Sequence, residues 1–193
     1  MNRRVFIAAG TAGTAALRLP RLALRRAAHL RIGCAAITWG DAAHAAIDDI
    51  AALGFRGIQL LAAQAAEWRS RPDDLAALLA RKRLTLVAYS SGSIGLDPAA
   101  RAAAIATHAA NAQFVHDVGG RYLQVTDQRP RGRAPTPDEC RTMGGILTEI
   151  GRRTADVGIP LGYHNHIGAL GQSPDEVARV LDAADPRFVK LEL

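Results

Sequence analysis

Short, continuous apolar runs alternate along this chain with longer stretches whose apolar positions follow a helical period. The runs begin near residues 31, 57, 84, 121, 159 and 188. Several are bounded by Gly, Pro, Ser or Asp, and several carry β-branched residues. Such runs read as strands buried on both faces, the form expected in a parallel sheet. Residues 31–38 are the first example, and Cys34 within them reads as a small buried residue. Between the first two runs, Ala43, Ala46, Ile47, Ile50 and Leu53 fall on one helical face. That spacing predicts a helix over residues 42–53, capped by Asp41 and stopped by Gly54.

Further helices are predicted from residue 71 to about 83, over 98–118 with a stop at Gly119, over 136–158, and from 173 onward. Thr136, Pro137 and Glu139 make a capping box with Pro at its first helical position, and Ser173, Pro174 and Glu176 repeat the device. Six strands alternating with five helices imply a parallel sheet with right-handed crossovers. No glycine-rich dinucleotide or phosphate-loop motif follows the first strand, which weakens nucleotide-binding α/β folds. A (β/α)8 TIM barrel is the better fit, with its working face at the strand C-termini. Six strands cannot close eight, so the barrel is expected to be partial, with unpaired backbone along its first and last strands.

Composition changes this picture at one end only. The formal charge of +6 resides in residues 1–29, where Arg3, Arg4, Arg18, Arg21, Arg25 and Arg26 meet no acid. Residues 30–193 carry 18 basic and 18 acidic side chains and are neutral. A nucleic-acid surface is not implied. The leader has a charged start, paired arginines and a weakly apolar stretch too short to span a bilayer. It resembles a twin-arginine export signal, which would place the protein in the periplasm. A frayed helix or a mistranslated start remains the alternative. No later segment reads as transmembrane, and Cys34 with Cys140 make no disulfide or zinc framework.

Candidate chemistry gathers where strands end. His164 and His166 stand at i and i+2, so in an extended strand both point one way, with Asn165 between them. Tyr89, Ser90 and Ser91 end the third run, and Gln124 and Asp127 flank the end of the fourth. All are candidates to meet substrate hydroxyls, with capping the alternative for the serines. Glu192 either faces the barrel interior or a helix. Arg129, Arg131 and Arg133 read as a solvated loop, with a phosphate clamp as the alternative.

Three stretches carry a resemblance: residues 54–59 (Gly-Phe-Arg-Gly-Ile-Gln), 161–166 (Leu-Gly-Tyr-His-Asn-His) and 185–193 (Asp-Pro-Arg-Phe-Val-Lys-Leu-Glu-Leu). In order and spacing they resemble the xylose isomerase-like TIM-barrel family, which includes sugar phosphate isomerases/epimerases, inosose dehydratases and hydroxypyruvate isomerases. The resemblance implies a metal-dependent sugar or polyol isomerase, epimerase or dehydratase. A non-catalytic carbohydrate-binding remnant is the second reading. The resemblance also implies a divalent ion (manganese, magnesium, cobalt or zinc) with His164 and His166 as candidate ligands. Trp39 is placed where the family packs an aromatic on sugars, and Tyr89, Ser90, Gln124 and Asn165 join it as substrate contacts. An early-strand Glu seen after Gly-Ile in relatives is Gln59 here, and the Asp, His and Glu ligands expected from later strands fall past Leu193. A sugar or polyol partner and a homo-oligomer complete the expectation.

Overall fold

The computed structural model describes residues 32–192. The signal-like leader over residues 1–29 and the terminal Leu193 lie outside the described residues. Among those described, six strands alternate with five α-helices: β1 Gly33–Ala35, α1 Ala43–Ala52, β2 Gly57–Leu61, α2 Pro72–Arg81, β3 Thr85–Ile94, α3 Pro98–Val118, β4 Leu123–Asp127, α4 Pro137–Asp156, β5 Leu161–His164, α5 Pro174–Ala183 and β6 Val189–Glu192. All strand pairs are parallel, and the sheet order is the chain order, with β1 and β6 at its two ends. Successive βα crossovers between neighbouring strands produce this sequential order.

Helix starts follow the sequence signals. Thr136 and Glu139 cap α4 reciprocally, at 3.2 and 2.8 Å, and Ser173 with Glu176 cap α5 at 3.3 and 2.7 Å. Arg133 adds two bonds to Glu139 at 2.6 and 2.7 Å, and beside that guanidinium the carboxyl is held down at about 2. Gly119 ends α3 at φ 77°, a left-handed position that favours glycine. Helix α1 departs from expectation. Its N-cap is Ala42 with no side-chain cap bond, because a one-turn 3-10 helix over Ala36–Trp39 draws Asp41 into the preceding turn.

That 3-10 turn also cuts the first strand to three residues. Ile32 and Ile37 are exposed, so the expected strand over 31–38, buried on both faces, is corrected. The reason is positional: β1 has a neighbour on one side only, and its inner face borders an open cavity. Cys34 is accordingly half-buried, whereas Cys140 is buried. Strand β3 instead outlasts expectation. Past a bulge, Ser93 and Ile94 pair with Thr126 and Asp127, so residues 90–93 belong to the strand and not to its tip.

The core lies between sheet and helices. Ile58, Leu60, Leu86, Leu123 and Val125 on the outer sheet face join Ile47, Leu75, Met143 and Leu147 in one buried cluster. Helix α4 approaches its neighbours closely: a Cβ on Gly144 would stand 2.5 Å from the Val180 carbonyl oxygen of α5. Near the strand C-termini the inner face of the sheet carries polar side chains, most of them half-buried, and this is what makes a site.

Candidate functional site

Period-two alternation sends every second strand residue inward. From β2 to β6, the inward positions near the C-terminal ends are Gln59, Ser90, Gln124, His164 and Glu192. Together with Thr126 and His166 they line a cavity of about 620 Å³. The side chains are joined across the sheet. Gln59 Nε2 donates to Ser90 Oγ at 2.7 Å and to Gln124 Oε1 at 3.0 Å. The Ser90 hydroxyl also donates to Gln124 Oε1, and Gln124 Nε2 donates to Glu192 Oε1 at 3.0 Å.

His164 and Glu192 are register partners on β5 and β6. Nδ1 of His164 and Oε2 of Glu192 are buried and have no hydrogen-bond partner. An unmade bond at a buried polar atom costs about 1–3 kcal/mol, so such atoms in a cavity mark where a ligand would be welcomed. The second imidazole stands differently. Strand β5 stops at His164, leaving His166 exposed in the following loop. The two ring centroids are 6.0 Å apart and the planes are inclined at 67°. His166 Nδ1 lies 2.8 Å from the Ile167 carbonyl oxygen, so in the neutral ring Nδ1 carries the proton and Nε2 is free to accept.

The structure thus brings four of the sequence candidates together: Ser90, Gln124, His164 and His166. It places three elsewhere. Trp39 donates its indole N–H to Asp49 at 2.9 Å and packs on the core edge, outside the cavity lining. Tyr89 points the other way from Ser90, into the helix layer, where its ring lies 5.5 Å from Phe114. Burial raises the Tyr89 phenol pKa, partly offset by Arg69. Asn165 is half-buried and is not among the cavity lining.

Ser91 and Asp127 also serve the outer side. Ser91 Oγ accepts from Asn111 at 2.7 Å and shares a hydrogen bond of 2.6 Å with His108 Nδ1. Asp127 accepts from the Tyr163 hydroxyl at 2.5 Å and from the Leu170 and Gly171 amides at 2.6 and 3.1 Å. It fastens the loop that carries His166. Arg129 ties the same loop to Glu176 at 3.0 Å, and Arg133 serves the α4 cap, so neither is a phosphate clamp.

Gln59 and Glu192 are the cavity residues that sequence reasoning undervalued. Both are polar interruptions of an apolar run at the inward parity, and that parity was the available signal.

The donor chemistry suits a cation only in part. The two orphaned atoms belong to residues that line one cavity, yet among the described residues no three His, Cys, Asp or Glu side chains converge closely enough to hold a metal ion. The described residues alone do not form a metal centre.

A sequence profile described as Xylose isomerase-like TIM barrel matches residues 47–193. The chain belongs to that family. Among curated members, it is similar to an inosose dehydratase of Clostridium beijerinckii, 27% identical over 94 residues, which are 42% of this chain and 32% of that protein. It is similar to the Bacillus velezensis inosose dehydratase at 30% over 76 residues, 39% of this chain and 24% of that one. This chain therefore spans a third or less of the curated relatives it matches. Among solved structures of the xylose isomerase-like fold, the IolI protein with a binding zinc atom superposes with TM-score 0.71 at 13% identity, over 84% of this chain and 62% of that one. A D-tagatose 3-epimerase-like protein gives 0.67 at 13%, over 84% and 64%. These likenesses establish the fold. Among the described residues, no helix is long and apolar enough to cross a membrane.

Proposed function

We propose that this chain carries the substrate-holding face of a sugar or polyol isomerase, epimerase or dehydratase, with dehydration of an inosose the first reaction to assay. One observation carries the reading: five successive strands each turn one polar side chain onto a single cavity. A cavity with amide, hydroxyl, imidazole and carboxylate groups in sequence offers both donors and acceptors to a ring of hydroxyls. His164 lines it with a buried, unpartnered Nδ1, and its imidazole is the candidate group to hold or move a substrate proton. Support for the reaction class comes from the inosose dehydratase relatives.

The divalent ion expected of the family, manganese, magnesium, cobalt or zinc, would need donors beyond the described residues to join His164 and His166. The zinc atom of the IolI neighbour makes zinc the first ion to try. We also propose export through the twin-arginine-like leader, which cell fractionation tests directly.

A second reading is a non-catalytic polyol-binding protein, since the described residues offer a cavity with hydrogen-bond donors and acceptors whether or not a cation joins it. Incubating the full chain with an inosose, with and without zinc or manganese, separates the two. Metal-dependent loss of water from the inosose supports the enzyme. Polyol binding with no turnover under any metal supports the binding protein, and neither binding nor turnover removes both.

A further inference from the structure

The hydrogen bonds of the cavity have a direction. Gln124 receives Gln59 and Ser90 on its carbonyl oxygen, so only its amide protons remain for Glu192. Turning both glutamines over would also connect them, but it would set the Gln124 carbonyl against a carboxylate oxygen. Two acceptors meet favourably only if a proton sits between them. The observed direction therefore suits a carboxylate at Glu192, which can only accept. Gln59 anchors the far end, because a carboxylate in its place could accept but not donate.

Glu192 ends this ladder with one oxygen held and the other, Oε2, buried and unpartnered. The carboxylate lies over Gly162, where a Cβ would come within 3.1 Å of Oε2, so β5 leaves it room by having no side chain there. Its charge reaches Tyr122, whose phenol is pushed up to about 12, first by burial and then by Glu192. The described cavity lining holds this one carboxylate and no lysine or arginine.

We propose that Glu192 sets the charge preference of the cavity, favouring an uncharged polyol over a phosphorylated one, and that Gln59 is a positioning residue acting on it through Gln124. The inference rests on the polyol reading above and adds the charge of the ligand. A carboxylate oxygen with open lone pairs accepts a hydroxyl in a strong, charge-assisted bond. A phosphate group entering the same partly desolvated space meets a like charge with little water between them.

Titration calorimetry on the full chain tests this with two probes, myo-inositol and myo-inositol 1-phosphate. The wild type is expected to bind the uncharged probe about tenfold or more tightly than the phosphate. Glu192→Gln is isosteric and is expected to shrink that ratio to within about threefold, while Glu192→Asp keeps the charge and most of the preference. Gln59→Glu is expected to change the ratio as well. A merely structural role would weaken both probes alike and leave it unmoved. Equal or tighter phosphate binding by the wild type, or an unchanged ratio in Glu192→Gln, overturns the inference and leaves the polyol reading standing. Binding of neither probe overturns both.

Discussion

His164 and Glu192 stand side by side at the ends of β5 and β6, each with one buried polar atom that the protein leaves unpaired. Neighbouring parallel strands bring their inward residues level, so a ligand touching one side chain is within reach of the other. Replacing His164 with Asn keeps a polar group but shortens it, and polyol binding is expected to weaken about tenfold, near 1.4 kcal/mol. His166→Ala, on the exposed loop, should cost less. Calorimetric titration of the two variants, with circular dichroism to confirm folding, checks the order.

Stability should depend on pH through His108. The ring is buried under β3 against Ser91, and burial lowers its pKa from 6.5 to about 4. Between those values the unfolded chain binds a proton that the folded chain refuses, so stability falls as pH drops through the window and levels off below it. The loss is on the order of 3 kcal/mol. Thermal unfolding from pH 7 to pH 4 should show it, and His108→Gln should flatten that dependence. An unchanged profile in the variant would remove His108 as the cause.

Asp127 is a brace and not a substrate contact. It takes three bonds, from Tyr163, Leu170 and Gly171, and the first helps to push the Tyr163 phenol up after burial has done the larger part. Asp127→Ala strands those donors, at about 1–3 kcal/mol for a buried group left unsatisfied. Urea unfolding should show a loss of at least that size. Faster amide exchange over residues 166–171 should accompany it.

Gly144 is set by packing. A methyl group there would meet the backbone oxygen of Val180 at 2.5 Å, and backbone cannot step aside as a side-chain tip can. Gly144→Ala should destabilise by about 1–3 kcal/mol despite the better helix propensity of alanine. Gly145, the next residue, has open space around its Cβ position, so Gly145→Ala is the control and should be neutral or stabilising.

The fold was legible because its signals are local. The paired capping boxes at Thr136 and Ser173, the glycine after α3 and the apolar runs each act within a few residues, and six strands with five helices follow. What the chain pattern could not show was set across the sheet. The 3-10 turn at Ala36–Trp39 took Trp39 to Asp49 and away from the cavity. A register shift in the β2–β3 pairing, past Ile58 and Leu86, set the parity by which Ser90 faces inward while Tyr89 and Ser91 face the helices. Strand β5 ended at His164, so His166 reached the cavity from a loop and not through strand alternation. Gln59 and Glu192 gained their meaning only from Gln124 between them.

The central claim is that the inward ends of β2 to β6 form one polyol pocket. Nuclear magnetic resonance of the isotope-labelled full chain, titrated with myo-inositol, tests it most directly. The side-chain amide signals of Gln59 and Gln124 and the ring signals of His164 should move together with a single dissociation constant, while the Trp39 indole stays still. Movement of Trp39 with those signals unmoved, or no movement at all, would contradict it.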